Sequence, residues 1–151
     1  IRTVILSARW TNKDLSEEQW VQALRTFTDN GKQVFITDDV PSFPFPVFDC
    51  KYGITPLFPI SRCTQPFENF DASYATYFPN LEKALYQVPG VQLLRTAKYF
   101  CDESECDMTR DGTIMYFDET HLNHQGSAYL AKRLLAENPE FASAVSAKEL
   151  A

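Results

Sequence analysis

Thr3-Val4-Ile5-Leu6 and Gln33-Val34-Phe35-Ile36-Thr37, with Ser16-Glu17-Glu18-Gln19-Trp20 opening the segment between them, decide the fold of this 151-residue chain. Thr3 to Leu6 is β-branched and aliphatic without alternation, the pattern of a strand covered on both faces, and Gln33 to Thr37 reads as a second strand. Ser16 and Gln19 form a capping box, in which each side chain can satisfy an amide of the other's backbone. Trp20, Val21, Leu24 and Phe27 then recur on one helical face until Asn30-Gly31 supplies a stop. Strand, amphipathic helix and strand make the unit of a parallel sheet, so the class is α/β.

The pattern continues downstream. After Pro79, which suits a first helical turn, Leu81, Ala84, Leu85 and Val88 keep helical spacing up to Pro89-Gly90, and Val91 to Leu94 reads as a third strand. Asp111-Gly112 between short apolar runs predicts a hairpin. Asn123 is a good N-cap for a last helix marked by Ala128, Ala131, Leu134 and Leu135 and closed by Asn138-Pro139. The Ala-rich residues 140–151 are expected to form a terminal helix. Residues 41–70 hold six of the nine prolines and two cysteines with no sustained period, which predicts a long Pro/Cys loop. Its aromatics, Phe43, Phe45, Phe48 and Phe58, argue for packed order, either shaping a substrate groove or covering the sheet. The whole reads as a single domain, 1–151.

Composition narrows the function. Hydrophobic residues make up 44% and aromatics 14%, enough to build a core rather than a disordered chain. A net charge of −6 without basic clusters gives nucleic acid or an anionic membrane surface no electrostatic hold. A neutral or polar small substrate fits better. No apolar run approaches the roughly 20 residues of a membrane helix. Cys50, Cys63, Cys101 and Cys106 suggest two sequential disulfides, Cys50–Cys63 and Cys101–Cys106, and hence an oxidising compartment. Four cysteines allow three pairings, and a zinc site or free thiols are the alternatives.

Ligands of open α/β sheets bind at the carboxyl ends of strands. Arg9 and Trp10, after the first strand, are therefore candidates to line a substrate site, the plain alternative being a packed Trp10 and a solvated Arg9. Asp38 and Asp39 follow the second strand, but neighbours on a strand point to opposite faces, so solvation is expected rather than a metal pair. Both histidines of the chain lie in Tyr116-Phe117-Asp118-Glu119-Thr120-His121-Leu122-Asn123-His124-Gln125-Gly126. Asp118 three residues before His121, ahead of a helix, can accept a hydrogen bond from one imidazole nitrogen and leave the other for a nucleophile.

That stretch resembles the last block of the SGNH (GDSL-type) esterases and acetyltransferases. Val4-Ile5-Leu6-Ser7-Ala8-Arg9-Trp10, Gly31-Lys32-Gln33-Val34 and the Cys101 to Cys106 segment further resemble the subgroup fused to membrane acyltransferase-3 domains. The resemblance implies a flavodoxin-like three-layer α/β/α sandwich with a mainly parallel sheet. It implies an extracytoplasmic or periplasmic O-acetyltransferase domain acting on a surface polysaccharide such as lipopolysaccharide O-antigen, or else a carbohydrate esterase of the same family. His121 matches the general base and Asp118 the acid that orients it. The acyltransferase-3 domain of the same parent chain would be the partner, tethering the domain to the inner membrane and delivering the acetyl donor, with no metal and no cofactor of the domain's own.

The family's Gly-Asp-Ser block has no counterpart here, nor does its Gly-x-Asn-Asp block, and Gly-x-Ser-x-Gly is absent. Ser7 follows a strand without the glycine of a sharp elbow. The resemblance therefore implies the C-terminal part of the domain, with the first strand and its serine upstream of Ile1 and no esterase activity in residues 1–151 by themselves. Two rivals stand beside this reading. Asp118, His121 and His124 repeat every three residues, as zinc ligands could. The aromatic 41–70 segment and the missing serine would also suit a non-catalytic glycan-binding or scaffold module.

Overall fold

The computed structural model describes residues 1–52 and 63–146. In chain order they form β1 (Thr3–Leu6), a single 3-10 turn (Trp10–Asn12), α1 (Glu17–Thr28), β2 (Gln33–Thr37), α2 (Val47–Tyr52), β3 (Thr64–Pro66), α3 (Phe67–Tyr74), α4 (Phe78–Gln87) and β4 (Val91–Leu94). After a second 3-10 turn (Ala97–Tyr99) come β5 (Glu105–Asp107), β6 (Thr109–Arg110), β7 (Thr113–Ile114), α5 (His124–Glu137) and α6 (Pro139–Ser146). They fall into two compact units, one from Ile1–Asp39, Ala72–Thr96 and the chain from Leu134 on, the other from Val40–Asp71 and Ala97–Arg133.

The first unit holds a parallel sheet in the order β1-β2-β4, with Val4 opposite Val34 and Val34 opposite Val91. Its three strands, α1 and α4 are those the apolar spacing predicts. Ser16 caps α1 with the full reciprocal box, its hydroxyl accepting from Gln19 N while Gln19 Oε1 accepts from Ser16 N at 2.9 Å. Trp20 and Leu24 of α1 pack with Leu81, Ala84 and Val88, and Ile36 of β2 joins them. Phe35, on the opposite face of β2, meets Phe141 of α6 edge to face at 5.1 Å. Only β2 is buried along most of its length, and β1 leaves Ile5 47% exposed. A strand covered on both faces was expected at β1. In the observed sheet it is an edge, and the central strand takes the burial.

Asp38 and Asp39 are buried, contrary to the expected solvation. Their side chains bind loop backbone at the carboxyl end of β2. Asp38 accepts from the hydroxyl of Thr96 at 2.7 Å and from its N–H. Asp39 takes Trp10 N at 2.8 Å on one oxygen and Thr11 N at 3.0 Å on the other, which satisfies the open end of the 3-10 turn. Burial pushes the Asp39 carboxyl above the ordinary range, against the pull of those two N–H groups. Asp39→Ala strands two N–H groups, and a loss of about 3 kcal/mol is expected. Asp39→Asn, which keeps one acceptor but turns an amide donor toward the other N–H, falls between. Urea unfolding followed by the fluorescence of Trp10 and Trp20 measures both; a wild-type midpoint for Asp39→Ala would refute the clamp.

In the second unit, the expected loop 41–70 contains structure. α2, the short β3 and the start of α3 occupy its described part, with β3 antiparallel to β5 and Gln65 opposite Cys106. Such short elements carry no periodicity to read. Phe43 is buried against Tyr116, whereas Phe58 lies outside the described residues. Cys50 is bonded to Cys63 and Cys101 to Cys106. By chain entropy such crosslinks contribute about 3 and 2 kcal/mol respectively. Asp111 (φ 51°) and Gly112 (φ 72°) form the turn between β6 and β7, the two positive angles of a type I′ hairpin.

At the C-terminal end the helices differ from expectation in detail. α5 starts after Asn123 and ends before Asn138, but of its expected apolar markers only Leu134 is buried. Ala128 and Ala131 face solvent. The terminal helix begins at Pro139 and is described to Ser146; residues 147–151 of the expected helix lie outside the described residues.

Candidate functional site

The site grows out of one junction in the second unit. Met115 N donates to Met108 O, and Asn123 N donates to Met115 O at 2.9 Å. Tyr116 pairs with Leu122 in an antiparallel bridge, and Phe117 N donates to His121 O at 2.7 Å. The chain from Asp118 to Thr120 is thus the tip of a pinched loop.

Asn123 secures the other side. Its Oδ1 accepts from Gly126 N at 2.8 Å, capping α5, while its Nδ2 donates to Ile114 O at 2.8 Å and Tyr116 O at 3.2 Å. One amide therefore ties the helix start to the strand before the loop. Gly126 is needed for the approach, since a Cβ there would lie 2.0 Å from Met115 O.

Within the loop, Asp118 Oδ1 accepts from Thr120 N at 2.8 Å and His121 N at 2.7 Å. Its Oδ2 lies 2.8 Å from His121 Nδ1. These donors, the Thr120 N–H first and the imidazole next, hold the Asp118 carboxyl well below the usual carboxylate range. An ionised carboxylate facing Nδ1 assigns the ring proton to that nitrogen, which leaves the lone pair on Nε2. The imidazole side chain is 74% exposed. A base with its acid partner in place and its free nitrogen toward solvent can take a proton from a hydroxyl brought to it.

Thr120 adds a contact that the spacing of Asp118 and His121 does not announce. Its hydroxyl lies 3.1 Å from Asp118 Oδ1 and 3.0 Å from His121 Nδ1, bracing both partners. The signal for it was the threonine between acid and base, a residue whose hydroxyl bonds locally in turns. Nearby, an open depression of about 540 Å³ is bounded by Val47, the Cys50–Cys63 bond, Ile114, Asn123 and Gln125; among the described residues its wall holds no charged side chain.

Arg9, Trp10 and Ser7 belong to the first unit. Trp10 is packed, meeting Trp20 edge to face at 4.9 Å and donating its indole N–H to Thr37 O at 2.6 Å. Arg9 is exposed. Ser7 Oγ accepts from the Thr37 hydroxyl at 3.1 Å. His124 is the exposed first residue of α5, and among the described residues no cluster of three His, Cys, Asp or Glu side chains is arranged to hold a metal ion.

The chain thus carries a parallel α/β sheet in its first unit and, in its second, an acid–histidine pair at a strand-to-helix junction. Residues 1–136 match the family model described as "SGNH domain (fused to AT3 domains)". The chain belongs to that family, which places it among hydrolase-type domains concerned with acyl groups. No curated protein and no solved structure matches it.

Proposed function

We propose that this domain transfers an acetyl group to a sugar hydroxyl of a bacterial surface polysaccharide, with His121 as general base and Asp118 as the residue that orients it. The observation that carries the reading is the 2.8 Å contact between Asp118 Oδ2 and an exposed His121. Membership in a family fused to acyltransferase-3 domains supports an acetyl donor delivered by a membrane partner in the same protein. The two disulfides fit a periplasmic or other extracytoplasmic location. Fusion of the family to acyltransferase-3 domains supports a tether in that partner domain; among the described residues no helix is long and apolar enough to cross a membrane.

Residues 1–151 contain no Gly-Asp-Ser motif. In this reading the nucleophilic serine comes from another part of the parent protein, and the whole domain completes the flavodoxin-like sandwich. His121 takes the serine proton, the serine oxygen attacks the acetyl carbonyl, and the donor's leaving group departs with a proton returned by the imidazolium. The sugar hydroxyl then attacks the acetyl-enzyme, His121 again accepting the proton, and the serine is released as the O-acetyl sugar forms. Water in place of the sugar would give an esterase.

A fluorophosphonate, which reacts with base-activated serines, tests this in the full-length protein. Labelling is expected on a serine outside residues 1–151 and is expected to disappear in His121→Ala. Labelling that is indifferent to His121 would sink the proposal.

A further inference from the structure

Phe117 is 77% exposed, although it sits in a loop pinned on both sides. Exposure of a single apolar side chain argues nothing by itself, and Tyr86 is more exposed still. The register makes Phe117 different. Tyr116 pairs with Leu122, and the next cross-strand pair toward the tip is Phe117 with His121, joined by the Phe117 N to His121 O bond. Residues paired across an antiparallel ladder project on one face with their Cβ atoms about 5 Å apart. Successive residues alternate faces, and the burial follows: Tyr116 is 1% exposed, whereas Phe117 and His121 both face solvent. Carried one residue past the Tyr116–Leu122 bridge, this register puts Phe117 and His121 opposite each other on the exposed face.

We infer that Phe117 is a stacking wall for the acceptor sugar, holding a neutral pyranose ring beside His121; this rests on the acyl-transfer reading above. A pyranose offers a face of C–H groups rimmed by hydroxyls. One exposed ring bordered by Asp118, Glu119 and His121 offers the complement, an apolar face with hydrogen-bonding groups around it. A lipid or long acyl chain needs a contiguous apolar patch of several hundred Å², whereas the residues that follow Phe117 around the tip, Asp118, Glu119, Thr120 and His121, are polar. The carboxylates of Asp118 and Glu119 favour a neutral sugar over an anionic one.

The test uses the full-length protein in membranes, with the de-O-acetylated surface polysaccharide of its host as acceptor. Phe117→Ala is expected to raise KM for the polysaccharide about tenfold and to lower kcat less than about threefold. Phe117→Tyr should restore KM, and Phe117→Leu, apolar but without a ring face, should not. An unchanged KM in Phe117→Ala, or full rescue by leucine, would overturn the assignment. A second measurement needs no turnover: saturation transfer from the His121→Ala protein to the ring protons of methyl α-D-glucopyranoside should be present with Phe117 and absent after Phe117→Ala. If the His121→Ala protein still acetylates polysaccharide, the acyl-transfer reading fails, while Phe117-dependent saturation transfer still upholds the sugar wall. If His121 is essential and Phe117 changes neither readout, the wall alone fails.

Discussion

His121→Ala in the full-length protein is expected to lower polysaccharide acetylation by about three orders of magnitude or more, the scale of losing a triad base. The loss should appear in kcat rather than in acceptor KM, because the imidazole handles a proton in flight and is not the group that holds the sugar. Asp118→Asn separates charge from geometry. Its side-chain oxygen can still accept from Thr120 N and His121 N, the two bonds that shape the loop tip. Its amide, however, would present a donor to His121 Nδ1 in place of a carboxylate, and the ring would be driven to carry its proton on Nε2. A loop that folds and a base in the wrong tautomer should leave activity about a hundredfold or more below wild type. The double substitution is expected to be no worse than His121→Ala by itself, since the acid acts only through the base. Acetyl content of purified polysaccharide and initial transfer rates, compared at equal membrane levels of each variant, measure these effects. More than a tenth of wild-type transfer in His121→Ala would rule out the triad role.

The elements most legible in the sequence are those with a long period and a chemical stop. α1 is announced by Ser16 and Gln19, sustained by Trp20 and Leu24 and ended at Gly31, whose φ of 66° no β-branched residue would tolerate. The acid–histidine contact was legible for a related reason, because it is local: only two residues lie between the partners, and Asp118 bonds the N–H groups of Thr120 and His121 next to it. What the sequence hid depends on pairing across distance. Asp39 looks like a solvated carboxylate until the turn at Trp10 folds back on it from 29 residues away. β1 reads as fully covered, whereas among the described residues it pairs with β2 on one side and leaves Ile5 47% exposed. The face on which Phe117 projects follows only from the Tyr116 to Leu122 pairing, a register of the kind a one-residue slip would invert.

Gly126→Ala is expected to cost this domain about 3 kcal/mol or more, although it lies in the first turn of α5, where alanine is ordinarily the better residue by about 1 kcal/mol. The added methyl would stand 2.0 Å from Met115 O and 2.9 Å from Met115 C, both backbone atoms. Met115 cannot yield, because its N–H is donated to Met108 O and its carbonyl accepts Asn123 N. α5 must therefore move away from the strand before it. That displacement breaks the Asn123 side-chain bonds to Ile114 O and Tyr116 O, and with them the anchor on the helix side of the loop holding His121. Stability and activity should consequently fall together. Thermal unfolding and acetyl transfer of Gly126→Ala, set against Ser127→Ala at the exposed neighbouring position, test the coupling. Ser127→Ala should leave both within error of wild type. A Gly126→Ala protein of wild-type stability would mean that the helix start and the strand do not approach this closely, and the positioning of Asp118 and His121 by Asn123 would fall with it.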